Sequence, residues 1–358
     1  MEQPSAQNPA KKKNFDFVDT IRCIAMMGIV FEHCTYHGNR IFPDHDQRNY
    51  IYIGLIQLSK FGTIAFFLLA GFLLGDRFQT YSSWQYFKRR LSSVFLPWLI
   101  WSLIFITATM INLHIVLRQR PNYNFLSLLV ENAKSVYLYT NYWFIINFMF
   151  CIGILLCFKR HLYKWWLGLV FCALSFAYSL NVYFEWFATA HTVAIFGFVF
   201  YLWLGAQMHK HWEYIDERIR SIPLSGFICG FIVTFAIAQW DSFSLSNWHS
   251  QDPFNTLRFS NVLYSFAVIM LLFKVRNISF LQFIRPRETT FGIYLIHYIL
   301  IIRLLPELLR PLHLPPFAAM SAGQIIVFVV VRFFIIYSIT LLLIKLIAMT
   351  RLRWIVGR

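Results

Sequence analysis

The feature that most constrains this chain is a succession of apolar windows, each about 17–25 residues long and so able to cross a hydrocarbon core of ~30 Å as a helix. They fall near 17–36, 52–75, 91–113, 142–158, 165–183, 191–208, 223–240, 257–273, 289–305 and 323–349. They predict an all-α polytopic membrane protein with about ten transmembrane helices. Composition agrees: 58% of the 358 residues are apolar and 13% charged, against roughly 45–50% and 25% in soluble domains. An ordinary soluble fold is excluded. The six cysteines, Cys23, Cys34, Cys151, Cys157, Cys172 and Cys229, sit inside apolar runs without paired spacing. No disulfide framework or metal site is expected, and they read as small core residues.

The formal charge of +16 is explained by position. Of the 32 Lys and Arg, 21 fall in the N-terminal tail, in alternate loops near 76–90, 159–164, 209–220 and 274–287, and from Lys345 onward, whereas the opposite loops hold six. Positive charge accumulates on the cytoplasmic side of short loops, so both termini are expected in the cytoplasm. No basic domain studded with aromatics occurs, which argues against nucleic acid. Lys11, Lys12 and Lys13 precede the first apolar stretch as in a signal peptide, yet that stretch carries Asp19, Arg22, Glu32 and His33 and lacks a cleavage site. It reads as a retained first span. The domain division is a polar tail over 1–16, a membrane domain over 17–349 and a basic C-terminal end over 350–358. The outer loops expected to meet a substrate are Tyr36–Tyr50, His114–Tyr139, Asp241–Thr256 and Pro306–Gly323.

Ionisable groups within a membrane span cost ~2.5–3.5 kcal/mol each on insertion scales and mark function by default. The first span, within FDFVDTIRCIAMMGIVFEHC, holds four from residue 17 onward: Asp19, Arg22, Glu32 and His33. Arg22 and His33 are eleven residues apart, which at ~100° and ~1.5 Å per residue puts them on one helix face ~16 Å apart. Asp19 is one turn before Arg22 and can hold its guanidinium. Glu32 points ~100° away from its neighbour His33. The functional reading is one channel wall, with Arg22 gripping an anion at the cytoplasmic end and His33 moving a proton deeper in. The structural alternative is an anchoring Arg and a packed His.

The same span resembles the opening helix of the acyltransferase family 3 integral-membrane enzymes, whose pattern is Asp-x-x-Arg and then a His after ten intervening residues, here Asp19, Arg22 and His33. Further blocks resemble the family in its order. Lys60, Phe66, Phe67, Gly71 and Phe72 are similar to its second-helix pattern, and Arg90, Pro97, Trp101 and Ser102 to its third. Trp143 and Phe144 resemble its Trp-Phe segment, and Gly292, Tyr294 and His297 its late Gly-x-Tyr-x-x-His helix. Ala70, Ile64, Ser93 and Asn141 depart from the residues usual there.

The resemblance implies transfer of an acyl group, usually acetyl from acetyl-CoA, to a hydroxyl of a cell-envelope glycan or lipid-linked sugar in the bacterial inner membrane. In that reading His33 and His297 are catalytic. Arg22, Asp19, Lys60, Arg89 and Arg90 contact the coenzyme A donor, and Glu32, Trp143 and Tyr294 the acceptor. The chemistry asks for the same parts. A sugar hydroxyl needs a base such as His33, and the oxyanion a cation or donor from among Lys60, Arg258 and His297. The Lys88–Arg90 cluster serves equally as a membrane anchor. Trp143 serves as a belt residue or a sugar platform, and the Tyr294–His297 pair as helix glue or a sugar contact. Arg303 and Arg332 receive no role beyond pairing with carboxylates such as Glu307. No bound cofactor and no metal is expected; membrane lipids are the surroundings. The alternative class is a transporter or flippase for a lipid-linked glycan or small anion, since buried Arg, Lys and His also line translocation paths.

Overall fold

The computed structural model describes residues 15–43, 46–117 and 124–357; the polar tail up to residue 14 lies outside the described residues. Fifteen α-helices follow one another, and no strand occurs among the described residues. They are α1 (Asp16–Thr35), α2 (Gln47–Ser59), α3 (Gly62–Thr80), α4 (Ser83–Arg90), α5 (Leu96–Leu117), α6 (Phe125–Lys134), α7 (Trp143–Cys157), α8 (Trp165–Phe184), α9 (Val199–Lys210), α10 (Trp212–Ser221), α11 (Leu224–Asn247), α12 (Phe259–Val275), α13 (Pro286–Ile299), α14 (Leu305–Leu309) and α15 (Ala322–Ala348).

Each of the ten apolar windows overlaps at least one of these helices, and 52–75 overlaps both α2 and α3, which break at Lys60 and Phe61, so the windows and the helices do not match one to one. Among the described residues six helical stretches are long and apolar enough to cross a membrane, or seven if the pair Phe125–Tyr139 and Trp143–Cys157, bent by 61°, counts as one span. The others fall short for physical reasons. The charges of α1 dilute its hydropathy, α9 has 12 residues behind an irregular approach over 185–198, and α12 has 17.

The charged first helix is tolerated because it is central. Its Phe17, Val18, Ile21 and Ala25 pack into one hydrophobic cluster with α3, α9 and α12. Cys23, Met26, Ile29 and Val30, on the other side, pack into a second with α5, α13 and α15. A lipid-shielded helix can carry polar groups that a lipid-facing one cannot.

Close packing follows the small-residue rule for membrane helices, where approaching backbones replace the hydrophobic effect. A Cβ on Gly71 of α3 would lie 1.9 Å from the Leu202 carbonyl oxygen of α9, and one on Gly205 would lie 2.0 Å from that of Leu68. A Cβ on Gly62 would meet the Ala25 carbonyl at 2.9 Å, so the break between α2 and α3, which holds Lys60, sits hard against α1. Three π-helical turns occur among the described residues: Leu91–Phe95 joins α4 to α5, Leu300–Leu304 joins α13 to α14, and Ser135–Tyr139 ends α6 ahead of the bend into α7. Such turns often flank functional sites, and the last two do so here.

The cysteine expectation needs one correction. Cys23, Cys34 and Cys151 are buried, while Cys157, Cys172 and Cys229 are exposed on the outer surface. In a membrane protein an apolar run faces lipid as readily as core, so apolar context alone does not bury a residue.

Candidate functional site

At the C-terminal end of α1 lies a cavity of ≈ 740 Å³, within the ~300–1,000 Å³ typical of small-molecule sites. All four expected outer loops reach it: Tyr36, His37 and Asn39 from the first, Leu138 and Tyr139 from the second, Gln251, Asp252 and Phe254 from the third, and Pro306 from the fourth. Of the site residues expected from sequence, Glu32, His33, Lys60 and Trp143 line it.

His33 is held from behind. Its Nδ1 lies 2.9 Å from Nε2 of the fully buried His297 on α13, and the rings stack at 5.1 Å. His297 Nδ1 lies 2.8 Å from the carbonyl oxygen of Ile293. A carbonyl can only accept, so Nδ1 of His297 carries a proton, and Nε2 of the neutral ring is an acceptor. The shared bond must then be donated by His33 Nδ1. This chain of donors leaves the lone pair of His33 on Nε2, the other edge of the ring.

Beside it, Lys60 Nζ and Glu32 Oε1 form a salt bridge at 2.5 Å, with the lysine side chain 8% exposed. The angular offset that made Glu32 a poor partner for His33 turns it toward the α2–α3 break. Trp143 stacks on His191 at 4.6 Å, and His191 Nε2 lies 3.0 Å from the Thr256 hydroxyl. Trp143 therefore belongs to the cavity wall. Asn141 also lines the cavity; its Oδ1 is buried with no hydrogen-bond partner among the described residues.

Other expected site residues lie elsewhere. Asp19 and Arg22 pair at 3.0 Å near the opposite end of α1, where Arg287 also reaches Asp19 at 3.2 Å. Arg22 and His33 do share a face, but no channel joins them along it, because Met26 and Ile29, at 2% and 7% exposure, occupy the turns between. Tyr294 is no cavity residue. Its hydroxyl donates to the Asn141 carbonyl at 2.5 Å, and Asn141 Nδ2 donates back to the Tyr294 carbonyl at 3.1 Å, a clasp between α13 and the start of α7. The rings of Tyr294 and His297 stand 6.3 Å apart, and the Tyr294 hydroxyl is taken up by the turn before α7.

Arg89 and Arg90 lie over the rings of Tyr81 and Tyr86, far along the chain from the cavity-lining set. Arg89 lines a separate groove of ≈ 470 Å³ with Tyr81, Gln85, Lys88 and Ser92. Arg258, the other oxyanion candidate, is completely buried and bonded to Asp241 and Gln57. Of the three oxyanion candidates, that leaves Lys60 as the cation in the cavity, where Arg332 is a second cation on the wall. Glu307 pairs with Arg310 at 2.6 Å, so it is not the partner of Arg303 or Arg332. Arg332 instead lines the cavity and donates to His37.

His37, His191, Asn141 and Arg332 are the cavity residues that sequence reading missed. Each joins the site through tertiary contact with no local spacing to announce it. A buried arginine ten residues into the most apolar window was the one available signal for Arg332.

A family model described as an acyltransferase domain, that of acyltransferase family 3, matches residues 15–347. The chain belongs to acyltransferase family 3. It is thus a multi-pass membrane acyltransferase, and the family's match spans every element that builds the cavity. Comparison with curated proteins and with solved structures finds no match.

Proposed function

We propose that this family member is an O-acyltransferase of the bacterial inner membrane that moves acetyl from cytoplasmic acetyl-CoA to a hydroxyl of a cell-envelope glycan or lipid-linked sugar. The observation that carries the reading is the His33–His297 pair, which presents an unprotonated His33 Nε2 at the edge of a polar cavity.

In the proposed reaction His33 Nε2 takes the proton of the acceptor hydroxyl as its oxygen attacks the thioester carbonyl. The positive charge gained by His33 spreads through Nδ1–H toward His297. The Lys60 ammonium has three donors and spends one on Glu32, which leaves two for the tetrahedral oxyanion. When the intermediate collapses, the carbon–sulfur bond breaks and His33 returns its proton to the thiolate of coenzyme A. Trp143 and the unpartnered Asn141 Oδ1 suit a sugar, one offering a ring face and the other an acceptor for a hydroxyl.

The loop charge asymmetry supports ten crossings with both termini in the cytoplasm, and α1 then delivers His33 to the outer half. The donor's phosphates suit the basic end near Arg22, Lys88 and Arg89 by charge-assisted bonds. Phe87, next to Lys88, lines an apolar groove of ≈ 570 Å³ that follows α7 from Cys157 to Ile146, one turn short of Trp143. An uncharged pantetheine arm fits such a groove while the phosphates stay at the basic end.

Oriented proteoliposomes test the arrangement. Acetyl-CoA supplied on the cytoplasmic face and glycan on the other is expected to give acetylated sugar. Product only when both are supplied on the cytoplasmic face would overturn it. Glycan crossing without acetylation would favour a flippase.

A further inference from the structure

Among the described residues two arginines are buried, Arg258 and Arg332, and their surroundings differ in kind. Arg258 is fully buried and fully answered: Nη1 bonds Asp241 Oδ2 and the Ala238 carbonyl, each at 3.1 Å, Nη2 bonds Gln57 Oε1 at 2.6 Å, and Nε reaches the Asn255 carbonyl at 3.3 Å. Arg332, ten residues into α15 and 9% exposed, has no ion-pair partner among the described residues. Its Nη1 donates to His37 Nε2, and its Nε has no hydrogen-bond partner among the described residues.

His37 brings no negative charge to that contact. Its Nδ1 donates to the Thr35 carbonyl at 2.7 Å, so Nε2 accepts from the guanidinium and the ring is neutral. Burial, with the charge of Arg332 added, pushes the His37 pKa down to about 4. Its ring stacks on Phe317 at 3.9 Å, which fixes it in place. The ring of Phe328, 5.1 Å from the Arg332 guanidinium, offsets part of the burial cost. None of these neighbours is an anion.

Arg332 lines the cavity that holds His33. The two carboxylates of that cavity are engaged elsewhere: Glu32 with Lys60 at 2.5 Å, and Asp252 accepting from Asn255 Nδ2 at 2.9 Å. A buried guanidinium with unused donors on the wall of a polar cavity is costly unless an anion completes it. We propose that Arg332 binds an acidic group on the acceptor, a sugar carboxylate or a sugar phosphate, so that the protein acts on an anionic glycan. Two parallel N–H donors of a guanidinium match either group bidentately. This deepens the functional reading above and relies on it for the acceptor's presence in the cavity.

The test is binding, which needs no turnover. Wild-type protein in nanodiscs is titrated by thermal stabilisation with glucuronate, glucose 1-phosphate and glucose, and the titrations are repeated with R332Q and R332K. At least one acid is expected to bind roughly tenfold or more tightly than glucose; which acid is preferred tells a carboxylate source from a phosphate source. R332Q is expected to lose that preference by roughly 10- to 100-fold with glucose binding unchanged. R332K keeps part of it. Glucose binding as tightly as both acids, no binding of either acid, or an undiminished preference in R332Q would each overturn the proposal. If R332Q does not fold, the wild-type preference and R332K decide. Acid binding with intact preference but no acetyl transfer would remove the transferase reading and leave the Arg332 site standing.

Discussion

Replacing His297 isolates what the second histidine does. The structure gives it one task toward the cavity, to accept the Nδ1–H of His33 at 2.9 Å, while its own Nδ1 is held by the Ile293 carbonyl at 2.8 Å. His297→Leu removes the acceptor and leaves the His33 N–H without its partner, a loss of about 1–3 kcal/mol. His33 can then shed the cost only by moving its proton to Nε2, which destroys the base. The same 1–3 kcal/mol, taken from the transition state, corresponds to a roughly 5- to 150-fold fall in kcat. His297→Gln offers a carbonyl oxygen at similar reach, so its kcat is expected to stay within about fivefold of wild type. The assay is release of coenzyme A thiol coupled to acetylated sugar, on nanodisc protein matched for folded fraction. His297→Leu turning over as fast as wild type would refute the tautomer argument. His297→Gln falling as far as His297→Leu would show that ring packing, and not the hydrogen bond, is what His33 needs.

Three further outcomes are expected. Gly71→Ala places a Cβ 1.9 Å from the Leu202 carbonyl, and separating α3 from α9 should cost about 1–3 kcal/mol; an unchanged thermal midpoint would contradict the close approach. Arg22→Ala should raise the KM for acetyl-CoA with little effect on kcat, because Met26 and Ile29 separate it from the reacting groups; a collapse of kcat alone would place Arg22 in the chemistry. A cysteine added after Arg358 should resist an impermeant thiol reagent in right-side-out cells, in accord with the loop charge asymmetry; ready labelling would reverse the topology.

The parts of this protein that local periodicity controls were legible in the sequence. Every apolar window overlaps helix, although six or seven stretches, not ten, are long and apolar enough to cross a membrane among the described residues, and the ionisable cluster of α1 pointed to His33, Glu32 and, through the family pattern, Lys60 and Trp143, all of which line one cavity. What periodicity could not give was depth in the third dimension. The face shared by Arg22 and His33 is real, yet Met26 and Ile29 lie on it too, and a helical wheel does not say whether a stripe lines a channel or a core. Tyr294 and His297 share a face as spacing requires, but the carbonyl of Asn141, in the turn just before α7, captures the tyrosine hydroxyl. The partnerships of Arg332 with His37 and of His191 with Thr256 join residues 295 and 65 positions apart, a range at which spacing carries no information. The π-helical turns that border the cavity leave no mark on hydropathy at all.

The account stands on His33 Nε2 as the base. Its most direct test is a single-turnover measurement with purified protein, acetyl-CoA and a sugar acceptor, comparing wild type with His33→Gln after both are shown to fold and to bind donor equally. Loss of the general base should slow acetyl transfer by roughly 10²- to 10⁴-fold. Transfer by His33→Gln within threefold of wild type would contradict the central claim.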